Sequence, residues 1–536
     1  MANIVKQPCD EGVIRSGKAT TSCAKVSGSW ILAATIIGSS MAFIDGTVVN
    51  VALPALQTKL NATVVDVQWV VESYALFLAA LLLVGGALGD HFGRRLIFII
   101  GVSIFTLASI WCGLAPNVSQ LIIARAVQGM GGALLVPGSL AIISAAFDEK
   151  RRGQAIGTWS GFTAITTAFG PVLGGWLIEH VSWRAAFFIN APLALIVILI
   201  SLRHVPESRA DEGKSGLDLA GALLATFGLG GVVYGLTESS RLGFKHWAVL
   251  STLAGGAALL LTFLMVEARK RNAMLPLKLF RSKNFSGANL LTLLLYTALS
   301  GVFFFLPLNL IQVQAYSATA AGAATLPFVF IMFTLSRWSG GLMKLYGAKL
   351  PLVIGPLIAT FGFLLFIWPN VGGSYWKTFF PAVVVLGLGM AVSVAPLTTT
   401  VMGSVAQSHA GVASGINNAV SRTAGLLAVA VLGIVMLHAF NTSLNQRLMN
   451  LDVTPEAREL LDGQRNKLAG AEIPASLNGE ARTELKRAIA ESFVYGFRVV
   501  MIIAASLAFL SALVSWLLIE GKKVRQPSQE AGAITG

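Results

Sequence analysis

The stretch Gly85-Gly86-Ala87-Leu88-Gly89-Asp90-His91-Phe92-Gly93-Arg94-Arg95 lies between two long apolar runs of the chain. Its glycines allow two helices and a tight turn to approach closely, because no Cβ atom intervenes. Asp90 brings a carboxylate next to the guanidinium groups of Arg94 and Arg95. Such a cluster can tie helix ends together or release them, so the stretch predicts a charged hinge at the edge of a membrane. The simpler alternative is a positively charged turn that only sets the topology.

The overall composition agrees with a membrane protein. The 536-residue chain is 55% hydrophobic and only 12% charged, with a mean hydropathy of +0.73, whereas a soluble protein carries about 25% charged residues. Long uncharged runs suit helices in a bilayer, where each helix must satisfy its own backbone hydrogen bonds. The composition therefore argues against a soluble multidomain enzyme.

The net charge of +14 does not predict nucleic-acid binding, because the basic residues are spread over short loops rather than gathered on one face. Cys9 and Cys23 lie in the polar N-terminal tail and Cys112 lies in an apolar run. No metal-binding spacing and no disulfide framework can be read from them. We therefore expect no metal and no other cofactor, and the polar first 29 residues show no cleavable signal peptide.

Apolar runs of about 20 residues predict an all-α integral membrane protein with about fourteen transmembrane helices. The predicted spans are 30–52, 69–89, 96–115, 119–142, 157–178, 185–203, 217–236, 247–267, 286–308, 320–344, 351–369, 376–398, 412–438 and 493–519. They group into a tail (1–29), six spans (30–203), a two-span insert with linkers (204–285), six more spans (286–519) and a second tail (520–536).

The charges of the short loops orient the predicted helices. One side carries Arg94, Arg95, Lys150, Arg151, Arg152, Arg203, Arg209, Lys214, Arg269, Lys270, Arg271, Lys278, Arg281, Lys283, Lys344, Lys349, Lys522, Lys523 and Arg525. The short loops on the opposite side offer little beyond Lys59, Arg184, Arg241, Lys245 and Lys377. The positive-inside rule then places both termini in the cytoplasm. We expect a multi-pass protein of the cell membrane, and we take this membrane to be a bacterial inner membrane.

The segment 439–492 is long and polar and should form a hairpin or lid on the outer face. Within it, Thr454-Pro455 reads as the N-cap and first residue of a short helix, and 479–492 should run helically into the last span. The two halves also resemble each other. The stretch Gly340–Lys349 aligns with Gly86–Arg95, with Lys344 in place of Asp90, as in parallel transporter repeats.

Two charged residues within the first half are the main candidates for chemistry. Asp45 lies inside the first predicted span, where a carboxylate needs a partner, water or a proton. Desolvation favours the protonated form, and a carboxyl group that binds either a proton or a cation provides the simplest chemistry for antiport. Arg125 begins Arg125-Ala126-Val127-Gln128-Gly129, and its guanidinium should face a cavity or an acid. The alternatives are a carboxylate held for packing near an interface and an Arg125 that snorkels to the membrane surface.

Other polar residues within the spans are weaker candidates. Glu72 is either a second proton or cation site or a carboxylate at the outer interface. Asn417, Asn418 and Arg422, in the thirteenth span, are candidates for gating contacts at its inner end.

Glycines punctuate the fifth span. Gly157/Gly161 and Gly170/Gly174 are spaced i, i+4, which favours close helix packing, and Pro171 permits a kink. Gly175 extends the second pair.

The hinge stretch resembles the loop between spans two and three of major facilitator superfamily transporters, which usually have Arg where this chain has His91. The segment around Asp45 resembles the first span of the fourteen-helix drug:proton antiporters. Arg125-x-x-Gln128-Gly129 resembles a family pattern whose Arg is assigned to proton coupling. Gly170-Pro171-x-x-Gly174-Gly175 looks like the antiporter motif of members that export, and Asn417, Asn418 and Arg422 match a polar stretch common in this family.

The resemblance implies the major facilitator fold, with two six-helix bundles and a two-helix insert. It implies a multidrug efflux transporter, a secondary exporter driven by the proton gradient through alternating access. Its expected partners are amphipathic, cationic small molecules, protons and membrane lipids. One alternative is a dedicated metabolite, antibiotic or lipid exporter of the same fold. A remoter alternative is a membrane-embedded enzyme or receptor, for which no catalytic constellation within the spans and no soluble signalling domain is visible.

Overall fold

The structure is a computed structural model that describes residues 21–147, 149–209, 218–270, 273, 275–405, 410–449, 451, 455–473 and 479–521. Cys9, Thr454 and most of the two predicted tails lie outside these residues. Polar residues and glycines set the boundaries of the helices. Thr63 and Asp66 form a capping box at the start of the second helix, and Gly93, with φ of +123°, separates the second helix from the third.

The N-terminal half contains seven helical segments. They are α1 (Thr21–Leu60), α2 (Val64–Phe92), α3 (Arg94–Leu114), α4 (Val118–Ala146), α5 (Glu149–His180), α6 (Ala185–Phe188) and α7 (Asn190–His204). The last two occupy the sixth predicted span, which the structure divides at Ile189.

The insert consists of α8 (Leu219–Leu242) and α9 (Trp247–Arg269). The C-terminal half follows with α10 (Lys283–Leu308), α11 (Ala318–Ala323), α12 (Leu326–Tyr346), α13 (Lys349–Leu365), α14 (Tyr375–Gly403), α15 (Ala410–Leu448), α16 (Pro455–Asp462) and α17 (Gly479–Leu518). Three shorter helical pieces connect them, at Leu277–Arg281, Asn309–Val313 and Arg465–Gly470.

The predicted fold class is confirmed. Within the described residues, thirteen helices are long and apolar enough to cross a membrane, and α13 is a shorter apolar helix at the position of another predicted span. Helix ends differ from the predictions, mainly because helices continue into polar sequence. The first helix begins at Thr21 rather than near Trp30, and the last begins at Gly479, as the helical reading of 479–492 requires.

The two halves meet along a few helix pairs. The contacts join α5 to α11 and α12, α2 to α15, and α1 to α10. The insert lies across this boundary, because α8 packs against α2 of the N-terminal half and α15 of the C-terminal half. Any relative movement of the two halves therefore changes the contacts of the insert with at least one of them.

The segment 439–492 folds over the predicted outer end of the boundary. The short helix expected at Pro455 is present as α16. Leu461 and Leu468 are buried in the same apolar core as α10 and α15, and Leu468 adopts a left-handed backbone with φ of +53°. Lys467 Nζ donates to Asn61 Oδ1 at 2.6 Å, so the segment also contacts the N-terminal half.

Candidate functional site

Asp45 and Arg125 form an ion pair inside the N-terminal half. Asp45 projects from α1 and Arg125 from α4, and Arg125 Nη1 lies 2.5 Å from Asp45 Oδ2. Each residue is only 1% exposed. The structure thus gives Asp45 the partner that a buried carboxylate requires, and it rules out the alternative in which Arg125 snorkels to the surface.

The pair is closed by further hydrogen bonds. Gln128 Nε2 donates to Asp45 Oδ1 at 2.8 Å, while Arg125 Nη1 donates to Gln128 Oε1 at 2.7 Å. Arg125 Nε donates to the carbonyl oxygen of Val70 at 3.1 Å, and the guanidinium carbon lies 4.1 Å from the centre of the Tyr74 ring. Because α1, α2 and α4 all contribute, a change at Asp45 alters contacts among three helices.

This arrangement depends on both charges of the pair. Removing either charge from a buried pair leaves the other without compensation and is costly. A proton on Asp45 cancels the carboxylate charge and weakens the hold on Arg125, whose guanidinium stays charged. Protonation would therefore free Arg125 to change partners, and a positively charged ligand could replace Arg125 at Asp45.

The hinge stretch holds two separate pairs rather than one cluster. Arg94 Nη2 lies 2.7 Å from Asp90 Oδ1. Arg95, expected beside Asp90, instead lies 3.7 Å from Glu207 Oε2, through its Nε atom. The reason is the geometry at Gly93: Glu207 accepts hydrogen bonds from the backbone N–H groups of Arg95 and Leu96 and so caps the start of α3.

Glu207 was missed from the sequence, because its loop is mixed in charge, with Asp211 and Glu212 as well as Arg209 and Lys214. It lies in the stretch that follows α7, and the backbone N–H of Arg94 also donates to the carbonyl oxygen of Ser208 at 2.9 Å. These contacts attach the end of the N-terminal half to the hinge turn. The hinge thus joins three helix ends of one half.

The glycines of α5 fall into two groups. Gly170 and Gly174 face α1, and a Cβ on Gly174 would lie 2.6 Å from Val48 Cγ1. Gly175 faces the C-terminal half, where a Cβ would collide with the carbonyl oxygen of Ala318. Reciprocally, a Cβ on Gly322 of α11 would collide with the carbonyl oxygen of Pro171.

The packing prediction is wrong for Gly157 and Gly161, because within the described residues no neighbouring atom lies within 4 Å of a Cβ built on either residue. Spacing alone cannot tell which face of a helix meets a neighbour. At the far end of α5, Glu179 Oε2 accepts a 2.6 Å hydrogen bond from Thr319 Oγ1 of α11. We call the contact of α5 with α11 the glycine seam.

Glu72 is fully buried where α2 meets the insert, which rules out a carboxylate exposed at the interface. Thr237 Oγ1 of α8 donates to Glu72 Oε2 at 2.8 Å. Glu238, which follows Thr237 on α8, is also buried. Its Oε1 atom accepts a hydrogen bond from Trp69 Nε1 at 2.9 Å. Arg241 Nη2 lies 2.8 Å from its Oε2 atom. Thr237 and Glu238 were not singled out from the sequence, since only the fold brings the insert against α2.

The three polar residues of the thirteenth span do not form one group. Asn417 Nδ2 donates to Thr292 Oγ1 at 2.7 Å and to Asn289 Oδ1 at 3.1 Å, both on α10 of the same half. Asn418 is exposed and donates to the Ser414 carbonyl of its own helix. Arg422 lies on α15, the helix of the C-terminal half that packs against α2.

Within the described part of the chain, no group of three or more His, Cys, Asp or Glu side chains could hold a metal ion. The fold and the apolar helices together define a class: a multi-pass membrane protein made of two helical halves.

Comparison with known proteins gives the family. Residues 35–429 match the sequence profile of the Major Facilitator Superfamily, and the chain belongs to that family. It is 34% identical over 500 residues to "Multidrug resistance protein Stp" of Mycobacterium tuberculosis (strain CDC 1551 / Oshkosh), covering 90% of this chain and 91% of that protein. It is 31% identical over 491 residues to the "Tetracenomycin C resistance and export protein" of Streptomyces glaucescens, covering 90% of each.

A solved structure shows the same fold. A bacterial homolog of the human lysosomal transporter Spinster, in an inward-facing and unoccupied conformation, superposes with a TM-score of 0.64 at 19% identity. The match covers 91% of this chain and 97% of that chain.

Proposed function

We propose that this protein is a proton-coupled exporter, a drug:proton antiporter, of amphipathic cationic compounds. The observation that carries the proposal is the buried pair of Asp45 and Arg125, closed by Gln128. A transporter that only binds and releases a neutral solute has no need of a costly charged pair at this depth.

The coupling step is an exchange at Asp45. In the paired state, Arg125 is held by Asp45, Gln128 and the Val70 carbonyl. When a proton binds Asp45, Arg125 loses its charged partner and shifts towards its remaining acceptors. When a cationic substrate approaches, it competes with the proton for the same carboxylate, so one leaves as the other binds.

The movement that accompanies this exchange is a rocking of the two halves. The glycine seam closes the halves at the end of the molecule predicted to face outwards, together with Gln312 Nε2 of the C-terminal half, which donates to Gln57 Oε1 at 2.7 Å. Export requires this seam to open. Because α1 carries Asp45 and also packs against Gly170 and Gly174 of α5, the proton site and the seam share one helix.

A second candidate is a dedicated exporter of one metabolite or antibiotic. Its support is that a relative named for tetracenomycin C is nearly as similar to this chain as a relative named for multidrug resistance. In that case the fold and the proton coupling stay the same and only the range of substrates narrows.

The test is transport by the purified protein in vesicles with an imposed pH gradient. Cationic, neutral and anionic amphipathic compounds are compared, and substrate and proton movement are followed in the same vesicles. We expect proton entry to drive cation movement in the opposite direction, and collapse of the gradient to stop it.

The variant Asp45→Asn and empty vesicles serve as controls. Transport that is equally fast without a pH gradient would overturn proton coupling. Transport of one compound among many would favour the dedicated exporter, and movement of anions alone would contradict a cationic substrate.

A further inference from the structure

The two-helix insert has no part in the mechanism above, yet α8 contacts a helix of each half. It packs against α2 and α15, while α8 and α9 pack tightly on each other where a Cβ on Gly256 would lie 2.7 Å from the Val232 nitrogen. Rocking of the halves therefore requires α8 to slide against α2, against α15 or against both. Sliding of α8 against α2 would separate the groups that are held between these two helices.

A buried carboxyl group lies at this contact. Glu72 of α2 is 0% exposed, and one of its oxygens accepts the hydrogen bond from Thr237 of α8. Its other oxygen, Oε1, is shut off from solvent and has no hydrogen-bond partner within the described residues. A hydroxyl donor on one oxygen is too little to hold an ionised carboxylate in a low-dielectric interior.

The surrounding charges do not compensate Glu72. The charged groups on the helices packed against α2 at this depth are Glu238 and Arg241 of α8, Asp45 and Arg125, and Arg422 of α15. Arg241 pairs with Glu238 and Arg125 pairs with Asp45. Within the described residues Glu72 forms no ion pair, and Glu238 brings a second buried carboxylate to the same contact of α8 with α2.

We propose that Glu72 is a second proton-binding site of the exporter and that the insert supplies its other half. Thr237 positions the carboxyl group through its hydrogen bond, and Glu238 places a second buried carboxylate at the same contact. When α8 slides away, Glu72 loses Thr237 and Glu238 and meets water, and its O–H bond breaks to release a proton to water and leave the carboxylate. The proposal rests on proton-coupled export but concerns a site separate from Asp45.

The direct test is infrared spectroscopy of the purified full-length protein in lipid, titrated over pH, in which a protonated carboxyl group has its own carbonyl band. We expect the wild-type protein to show such a band at neutral pH and Glu72→Gln to lose it. Thr237→Val should shift the band and its titration midpoint. Glu238→Gln should shift the midpoint, because it removes the neighbouring carboxylate.

The matched control is Thr226→Val. Thr226 lies on the same helix, is buried, and donates only to the Ala222 carbonyl within that helix, at 2.7 Å. It should leave the band and its midpoint unchanged. If Glu72→Gln removes no protonated-carboxyl band, or if Thr237→Val and Thr226→Val behave alike, the shared site is overturned.

A transport measurement separates this proposal from the proposed function. Vesicles with wild-type protein should move more protons per substrate than vesicles with Glu72→Gln, and Thr226→Val should match the wild type. A wild-type protein that moves substrate without protons would overturn proton-coupled export, while the infrared band would still decide whether Glu72 binds a proton. An unchanged proton-to-substrate ratio in Glu72→Gln would overturn a coupling role for this site.

Discussion

At the scale of single residues, Asp45 and Arg125 depend on each other. Each is buried with 1% exposure, and each has the other as its charged partner. A buried pair of this kind contributes little net stability, but breaking it by removing one member costs about 3–5 kcal/mol. Mutations at these positions therefore report on folding and on coupling at once, and the two effects must be measured separately.

Replacement of Asp45 by Asn should abolish proton-coupled export and leave a folded protein. The Asn amide keeps a hydrogen-bond acceptor for Arg125 but cannot take up or release a proton. Unfolding in detergent should occur at a lower temperature, and the double variant Asp45→Asn/Arg125→Gln should recover stability without recovering transport. Gradient-driven export at the normal rate by a well-folded Asp45→Asn protein would remove Asp45 from the mechanism.

Replacement of Arg125 by Ala should abolish transport, and replacement by Lys should retain only part of the wild-type transport rate. The guanidinium donates from Nη1 to Asp45 and Gln128 and from Nε to the Val70 carbonyl, and an ammonium group cannot copy this planar set. Vesicle transport rates of the three proteins decide the point. Full activity of Arg125→Lys would mean that only the positive charge matters.

At the scale of helices and turns, the hinge stretch acts through the pair of Asp90 and Arg94 and through Glu207 at the start of α3. Asp90→Asn should shift the equilibrium between the inward-open and outward-open states by about 1–3 kcal/mol, a typical coupling energy. A cysteine at Ala321, which is 1% exposed next to the glycine seam, reports this balance by its labelling from the outer face. Arg94→Lys, which keeps the charge, serves as the control. Equal labelling of Asp90→Asn and wild type would show that the Asp90–Arg94 pair does not bias this balance.

The glycine seam makes a second prediction at this scale. Gly175→Ala sets a methyl group against the Ala318 carbonyl of the other half and should open the seam or uncouple transport. Gly161→Ala is the matched control, because a Cβ at Gly161 meets no neighbouring atom of the described residues within 4 Å. Coupled export by Gly175→Ala at the rate of Gly161→Ala would show that the seam is not needed. Gly174→Val overlaps Val48 and tests the separate contact of α5 with α1, which should also be needed for coupled transport.

At the scale of the whole molecule, the segment 439–492 bridges the two halves at the predicted outer end. It is attached to the C-terminal half at both ends, through α15 and α17, and contacts the N-terminal half through Lys467 and Asn61. Buried Leu468, with its left-handed backbone, fixes the turn against the core. The segment therefore stabilises the closed outer end of the molecule by contacts that do not involve the Asp45–Arg125 pair.

Shortening 445–485 should leave proton coupling intact and change the rate or range of substrates that leave. Lys467→Ala, which removes only the contact with Asn61, should have the same effect in milder form. Arg458→Ala, at an exposed position of α16, serves as its control. Both outcomes are read from proton and substrate movement in one vesicle assay, and complete loss of the proton response on shortening would place the coupling machinery partly in this segment.

The sequence alone determined the properties that depend on composition and on short-range pattern. Apolar runs predicted the membrane helices, because the bilayer demands about 20 apolar residues per span. Charges at membrane depth marked Asp45, Arg125 and Glu72 as residues that need partners. The tertiary structure alone decided which partners they have. Spacing along one helix does not reveal which neighbour lies opposite, so the pairing of Asp45 with Arg125, of Arg95 with Glu207 and of Glu72 with Thr237 required the fold. For the same reason Gly175 and Gly161 look alike in the sequence, but only Gly175 meets the other half of the molecule.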